Sequence, residues 1–478
     1  MKGKLLTIFA SLFFMLHEAS GQDSHYWESG FSPGGFLLPG SVIANNRDSG
    51  LFFYNPALLA INPKNSVSIS ATIYELEHVN IQDGIASGKP LKSNKLRMVP
   101  QMVSGTIAFN KHLSIGYALI HNPVLSYSVN QRQDKQMNVL DDSYSPGPEY
   151  YVGQYSAYNN VSQTIAVASA GIKLNEQLAV GLSAEGQVRS QSFFEDYKSR
   201  ALINTDSIEL TPFTGVTSSY EASYTHIGIR FKAGLSYDAG RHHFGLLLSS
   251  PMISIKGTAT VQSDMAISNL RISADNGIIL NIMANDRQTG LSAKYKLPFS
   301  IAAAYAIDYN KGQVYLAAEY FHNVNSYDII TPRKESFIRP DTGNADFYAP
   351  GYLQFRNEHK RVTNFALGIS HYLNSNFTAY GSFRTDFSYA APMPAQYNGR
   401  LPYVISWDNF HAQLGGNFKR RKFNLRAGLL LSYGRTTKYR QPVNFDSPKD
   451  ADLLVGIAHD VKGTFFSTGL LFSYIHNL

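Results

Sequence analysis

Residues 225–240 read THIGIRFKAGLSYDAG, and their apolar and polar positions separate with a period of two. Ile227, Ile229, Phe231, Ala233, Leu235 and Tyr237 share one face, while His226, Gly228, Arg230, Lys232 and Gly234 share the other. A helix would scatter both sets around its circumference, so the stretch is predicted as a strand with one apolar face. The same pattern puts Phe423, Leu425, Ala427, Leu429, Leu431 and Tyr433 on one side of residues 422–434. It also puts Leu178, Val180, Leu182, Ala184 and Val188 on one side of residues 177–190. Strands of about ten or more residues with a continuous apolar face suit a bilayer better than a soluble sandwich, whose strands average about five or six.

The connections alternate as well. Short turns at residues 110–112, 175–177, 238–241, 308–312, 374–375 and 420–421 are interleaved with long polar stretches at 77–95, 129–159, 192–220, 256–289, 327–360, 388–403 and 435–463. Short turns at one end and long loops at the other predict an all-β fold, a transmembrane antiparallel barrel of about fourteen strands. The strands are placed near 65–77, 96–109, 113–128, 160–174, 178–192, 221–238, 242–255, 290–307, 313–326, 361–373, 376–387, 404–419, 422–434 and 464–476. Residues 452–460, DLLVGIAHD, form a further candidate; an even strand count assigns them to an extension of the last hairpin beyond the membrane.

Composition sharpens this picture. In 478 residues there are Tyr 30 and Phe 29, and mean hydropathy is −0.18, the combination expected when alternate strand residues face lipid and a polar lumen. Lys2 and Lys4, the apolar run 5–16 and the small residues Ala19, Ser20 and Gly21 read as a secretory signal peptide over residues 1–21. Its apolar run of about twelve residues is shorter than the roughly twenty that span a bilayer. The absence of cysteine excludes a lipidated N-terminal cysteine and a disulfide framework. The net charge of +7 is spread along the chain and gives no reason to invoke nucleic acid.

Ahead of the first strand lies SGLFFYNPALLAINP, residues 49–63. An exported chain carrying an Asn55-Pro56-Ala57 box followed by Leu58 and Leu59, and then a barrel, resembles the FadL family of outer-membrane transporters for hydrophobic compounds. Residues 296–324 and 362–383 resemble the family's later strands in their cadence of small-residue strand, turn and strand. The chain departs from the family where PGSVIANNRDSGLFF replaces a Gly/Ala-rich segment. The resemblance implies three parts: the signal peptide, a hatch at residues 22–64 folded inside the lumen, and the barrel at 65–478. It further implies a bacterial outer-membrane location with both termini in the periplasm, and passive uptake of hydrophobic or amphipathic molecules such as long-chain fatty acids. Phe52, Phe53, Asn55, Pro56, Ala57, Leu58 and Leu59 would line the substrate path. The same superfamily resemblance includes PorV-type barrels, which serve protein secretion and surface attachment, so a secreted protein is the alternative partner. The last strand, STGLLFSYIHNL, resembles the recognition signal read by the barrel assembly machinery, with Ser467, Gly469, Phe472 and Tyr474 in place and four residues after the tyrosine.

Two prolines interrupt neighbouring strands. If Phe109 and Leu113 flank their turn, Pro100 lies opposite Asn122, next to Pro123, and both prolines remove ladder donors. In the FadL family a kink in the third strand opens the wall sideways to lipid, which gives Pro100, Asn122 and Pro123 a role as a lateral opening. Alternation also puts Arg189, Arg230, Lys232, Lys294, Arg384 and Arg426 on the lumen side with Glu185 and Glu319, as candidates to hold a carboxylate head group. Phe193, Phe194, Ile208, Leu210 and Phe213, and Ile278, Ile279, Leu280, Ile282 and Met283, make the long loops candidates for capturing an apolar ligand. Enzyme signatures are absent. GIASGKP has too few residues between its glycines for a phosphate loop, GLSAEG lacks the nucleophile-elbow glycine, and His242-His243 stands without HExxH. No cofactor and no metal is implied, and outer-membrane lipids are the surroundings.

Overall fold

The computed structural model describes residues 24–27, 42–44, 52–61, 63–204, 212–271, 279–339, 348–390 and 405–478. The expected signal peptide, residues 1–21, and residues Ile208, Leu210 and Ile278 fall outside them. Fourteen antiparallel strands close into a barrel. They are β1 (Ser66–Ala86), β2 (Lys89–Ala108), β3 (Leu113–Met137), β4 (Glu149–Lys173), β5 (Leu178–Leu202) and β6 (Phe213–Ala239). Next come β7, in two pieces (His242–Ser249 and Ile253–Arg271), and β8, also in two (Ile279–Ser292 and Ser300–Tyr309). The wall continues through β9 (Gly312–Phe321), β10 (Val362–Tyr372), β11 (Phe377–Asp386), β12 (Asn409–Lys419), β13 (Phe423–Arg440) and β14 (Asp460–Asn477). β14 pairs back onto β1 from Ser66↔Asn477 to Ile81↔Gly463, which removes both sheet edges.

The alternation read from the sequence sets inside and outside. Ile227, Phe231 and Tyr237 of β6 and Leu429, Leu431 and Tyr433 of β13 are exposed on the outer face, whereas His226, Lys232 and Arg426 are buried on the inner one. An outward apolar belt of this kind is stable only against lipid.

The strands run much further than expected. β3, β4 and β5 have 25 residues each and β6 has 27, so residues 77–86, 129–137, 149–159, 192–202 and 213–220, expected as loops, are strand. A strand of 27 residues is about 90 Å long at 3.4 Å per residue, against an apolar belt of about 25 Å. Beyond the belt both faces meet polar surroundings or packed loops, so the apolar period vanishes while the hydrogen-bond ladder continues.

Residues 452–459 form no fifteenth strand; they lie in the connection of the last hairpin, where Val455 makes an isolated bridge with Lys449. That hairpin itself reaches Arg440↔Asp460, and the chain between folds back over the barrel mouth through a 3-10 turn (Asp450–Asp452) and left-handed Leu453 and Leu454. Leu453, Leu454 and Val455 are buried there, and the Tyr151 hydroxyl donates to Leu454 O (2.7 Å). A ribbon of Val324–Ile330 with Phe355–His359 also joins the mouth: Phe355 is fully buried, with Phe193 and Tyr220 within 6.3 Å of its ring centroid. The long-loop end is thus filled by one apolar cluster that includes Tyr151, Phe193, Tyr220, Phe337, Phe355, Phe445 and Leu454.

Candidate functional site

The described part of the segment ahead of β1 lies against the inner wall. Asn55 caps a single helical turn, α1 (Leu58–Ile61): its Oδ1 accepts from Ala57 N (3.1 Å), and Pro56 takes a position where no backbone donor is needed. The Asn55 amide also donates to Ile43 O (2.9 Å) and Leu235 O (3.1 Å), which ties the turn to β6. The wall makes room for it. Cβ atoms on Gly171, Gly181 and Gly234 would run into Pro56, Ala57 and Asn55, so only glycine admits this approach.

Phe52, Ala57, Leu58 and Leu59 are at most 1% exposed and pack on the wall, not on the lumen. Phe52 and Leu59 join Met102, Ala118, Ile120, Ile165 and Val167, while Leu58 joins Ile43 and Leu247. Of the expected path residues only Phe53 lines a cavity, of about 170 Å³, together with its neighbour Tyr54. A 150 Å³ apolar cavity holds one benzene, so this is a ring-sized space. Around it stand Tyr26, Trp27, Tyr295, Phe321 and Tyr389 as aromatic walls, with Arg230, Lys232, Glu185, Glu319 and Arg384 as charged ones and Asn122 and Val124 on the β3 side.

The wall is interrupted beside that cavity. β2 and β3 pair from Ala108↔Ser114 only as far as Met102↔Ile120. Above this rung β2 pairs with β1 and β3 with β4, and no ladder pair joins them among the described residues. Contact resumes higher up, where Ser128 N donates to Ser93 Oγ (3.1 Å) and Gln131 Nε2 to Pro90 O (3.0 Å). Both prolines fall in this window. The register extrapolates Pro100 to Asn122, β2 slips between its Met102 and Pro100 pairings, and β3 bulges between Asn122 and Leu125. The Phe52–Leu59 cluster sits on the last intact rung, Met102↔Ile120.

The charged candidates are placed less uniformly. Lys232 pairs with Glu185 (2.5 Å), donates to Phe53 O (3.2 Å) and lies over the Phe53 ring at 4.1 Å. Arg384 donates to Trp27 O (2.9 Å), so both of these hold the N-terminal segment. Arg230 donates to Ser250 O (3.0 Å) and Ser300 Oγ (3.1 Å), at the points where β7 and β8 are broken. Arg189 is buried over the Tyr295 ring at 4.0 Å, and Arg426 is buried near the short turn before β13, away from the cavity. Lys294 corrects its expectation: it is exposed on the face opposite to the buried Ala293 and Tyr295. Strand alternation does not carry through residues 293–299, where Pro298 interrupts β8, and counting back from Ile301 assigns the wrong face. Of the loop residues expected to capture ligand, Phe193 and Leu280 are buried, while Phe213, Ile279 and Met283 are exposed.

Residues 24–27 fall within the segment expected inside the lumen, but none of them was singled out as a site residue. Trp27 Nε1 donates to Glu319 (2.8 Å), whose other oxygen accepts from Ser300 Oγ (2.8 Å), and Trp27 N donates to Asp386 (3.0 Å). Tyr26 stacks on Phe321 at 4.1 Å and bonds His359 (2.7 Å). The only available signal was the pair of aromatics in HYW, too short to show periodicity.

No protein-family model matches this chain, and no curated protein sequence does. Solved structures do. A Pseudomonas aeruginosa FadL homologue is 12% identical, with 96% of this chain and 99% of that one covered, at a TM-score of 0.54. The Ralstonia pickettii toluene transporter TbuX is 11% identical over 94% and 99%, at 0.55. The Pseudomonas putida toluene transporter TodX is 11% identical over 97% and 100%, at 0.54. The chain therefore has the fold of the FadL-type transporters along nearly its whole length.

Proposed function

We propose that the protein is an outer-membrane conduit through which hydrophobic or amphipathic small molecules pass passively, leaving sideways through the window between β2 and β3. The observation that carries this reading is the adjacency of cavity and window: Asn122 and Val124 line the former and border the latter. Residues 22–64 act as the hatch, with α1 seated on its glycine berth and Phe53 and Tyr54 turned to the passage. The short-turn end and both termini face the periplasm, the barrel assembly machinery inserts the chain after the signal peptide is removed, and lipids receive the cargo. The toluene transporters that share the fold support an apolar cargo, and long-chain fatty acids are a second class to be tested.

Replacing Pro100 with Val and Pro123 with Thr returns two backbone donors to the wall and favours closure of the window. The double variant is expected to assemble as a heat-modifiable barrel and to take up labelled toluene or oleate more slowly than the parent. Unchanged uptake would refute the lateral exit.

A further inference from the structure

The wall has a second interruption, far from β2 and β3 in strand order. β7 is broken at residues 250–252 and β8 at 293–299, and the two breaks lie side by side. Below them the strands pair from Ser249↔Ser300 downwards, and above them from Thr258↔Ser292 upwards. Between these rungs the described backbone bonds across the seam are Met252 N to Leu297 O (3.1 Å) and Ala293 N to Gly257 O (3.3 Å). Arg230 reaches out from the lumen to the carbonyl of Ser250, a backbone group inside the break, and to the side-chain hydroxyl of Ser300. On the inside, Ser249, Tyr295 and Leu297 line the 170 Å³ cavity. On the outside the seam is bordered by exposed Ile253, Ile255, Phe299 and Ile301, so its rim belongs to the apolar belt.

The outer lip carries an unusual pair. The Ala293–Gly257 bond puts Lys294 directly across from Lys256, both exposed, with Lys296 exposed two residues further on. Like charges directly opposite on neighbouring strands destabilise a sheet. Among the described residues no carboxylate pairs with Lys256 or Lys294. An anion between them removes the repulsion, and at the rim of an apolar belt the anion that arrives with an apolar body is an amphipath.

We propose that the seam between β7 and β8 is a second lateral portal, which receives anionic amphipaths from the membrane: Lys256 and Lys294 hold the carboxylate or phosphate head while the apolar part passes Leu297 into the cavity. This rests on the reading of the barrel as a conduit. It gives the cavity an entrance that does not cross the packed long-loop end, opposite in role to the β2–β3 window.

The chain has no cysteine, so the seam can be locked selectively. Met252 N donates to Leu297 O across the seam, so a cysteine pair at these two positions is placed to bridge it. The barrel, the M252C/L297C variant and the K256Q/K294Q variant are reconstituted in phosphatidylcholine vesicles and given a diazirine-bearing fatty acid or its methyl ester. Oxidised M252C/L297C is expected to take up the acid at a fraction of the parent rate and to recover with reductant, which separates locking from misfolding. K256Q/K294Q is expected to lose about fivefold in uptake of the acid, the scale of an exposed charge contact, and little for the ester. Photolysis is expected to label residues 253–256 and Tyr295 in the parent. If the parent moves neither probe, the conduit reading fails. If it moves both while the locked and lysine variants match it, the portal alone fails. If the lysine variant loses labelling by a diazirine phosphatidylglycerol but keeps its acid uptake, the lysines bind a resident lipid and the proposal is overturned.

Discussion

Replacing Glu185 with Gln and Lys232 with Met in one chain isolates how the N-terminal segment is held against the wall. Lys232 is 8% exposed, 2.5 Å from Glu185, and it contacts Phe53 twice, through the carbonyl at 3.2 Å and the ring at 4.1 Å. Losing Lys232 alone would also strand a buried carboxylate, a cost of about 3–5 kcal/mol borne by the whole barrel. Removing both charges together avoids that, because a buried pair replaced as a unit is close to neutral. What remains is the loss at Phe53: about 1.5–3 kcal/mol for a hydrogen bond from a charged donor and about 0.5–2 for the cation over the ring. Even the low end, about 2 kcal/mol, raises the undocked fraction of the segment about thirtyfold. Hydrogen exchange at Leu58, Leu59 and Ala60, whose amides bond Asn55 O, Pro56 O and Ala57 O, reports that fraction directly. Exchange there is expected to quicken by about that factor, with single-channel conductance rising in parallel. Unchanged exchange and conductance in a folded double variant would refute the role of Lys232 as the clasp.

Three further changes follow from the same geometry. Gly181→Val places a side chain where Pro56 and Ala57 lie, so α1 should unseat at an overpacking cost of about 1–3 kcal/mol, seen as faster exchange at residues 58–60 in a barrel that stays heat-modifiable. Asn55→Ala removes the bonds to Ile43, Leu235 and Ala57; the same exchange should rise, by an amount equivalent to about 1–3 kcal/mol. Phe355→Ala hollows the cluster that fills the long-loop end, at about 3–5 kcal/mol; the thermal midpoint should fall, and a polar dye should gain access to the cavity from that side.

Much of the wall was legible in the sequence because lipid imposes a period. Phe231 against Lys232, or Tyr433 against Ser432, sorts by face without any tertiary knowledge, and the turn between Phe109 and Leu113 was enough to bring Pro100 opposite Asn122. Legibility ended where that period ended. Beyond the belt, residues such as Gln131 and Ser199 alternate with other polar residues, and strand looks like loop. Lys294 was misassigned because one proline breaks the count. Gly171, Gly181 and Gly234 read as ordinary strand glycines until α1 is seen lying on them, since a close approach between distant segments leaves no local trace. The anchoring of Trp27 by Glu319, Arg384 and Asp386 joins residues about three hundred positions apart and has no periodic signature at all.

The most direct measurement is mass spectrometry of the compounds extracted from the protein purified out of its own membrane in mild detergent. An apolar or amphipathic small molecule, bound in the parent and depleted when the β7–β8 seam is locked, is the predicted result. No such compound, with a large secreted or surface protein still attached to the barrel, would contradict a conduit and favour a role in protein export.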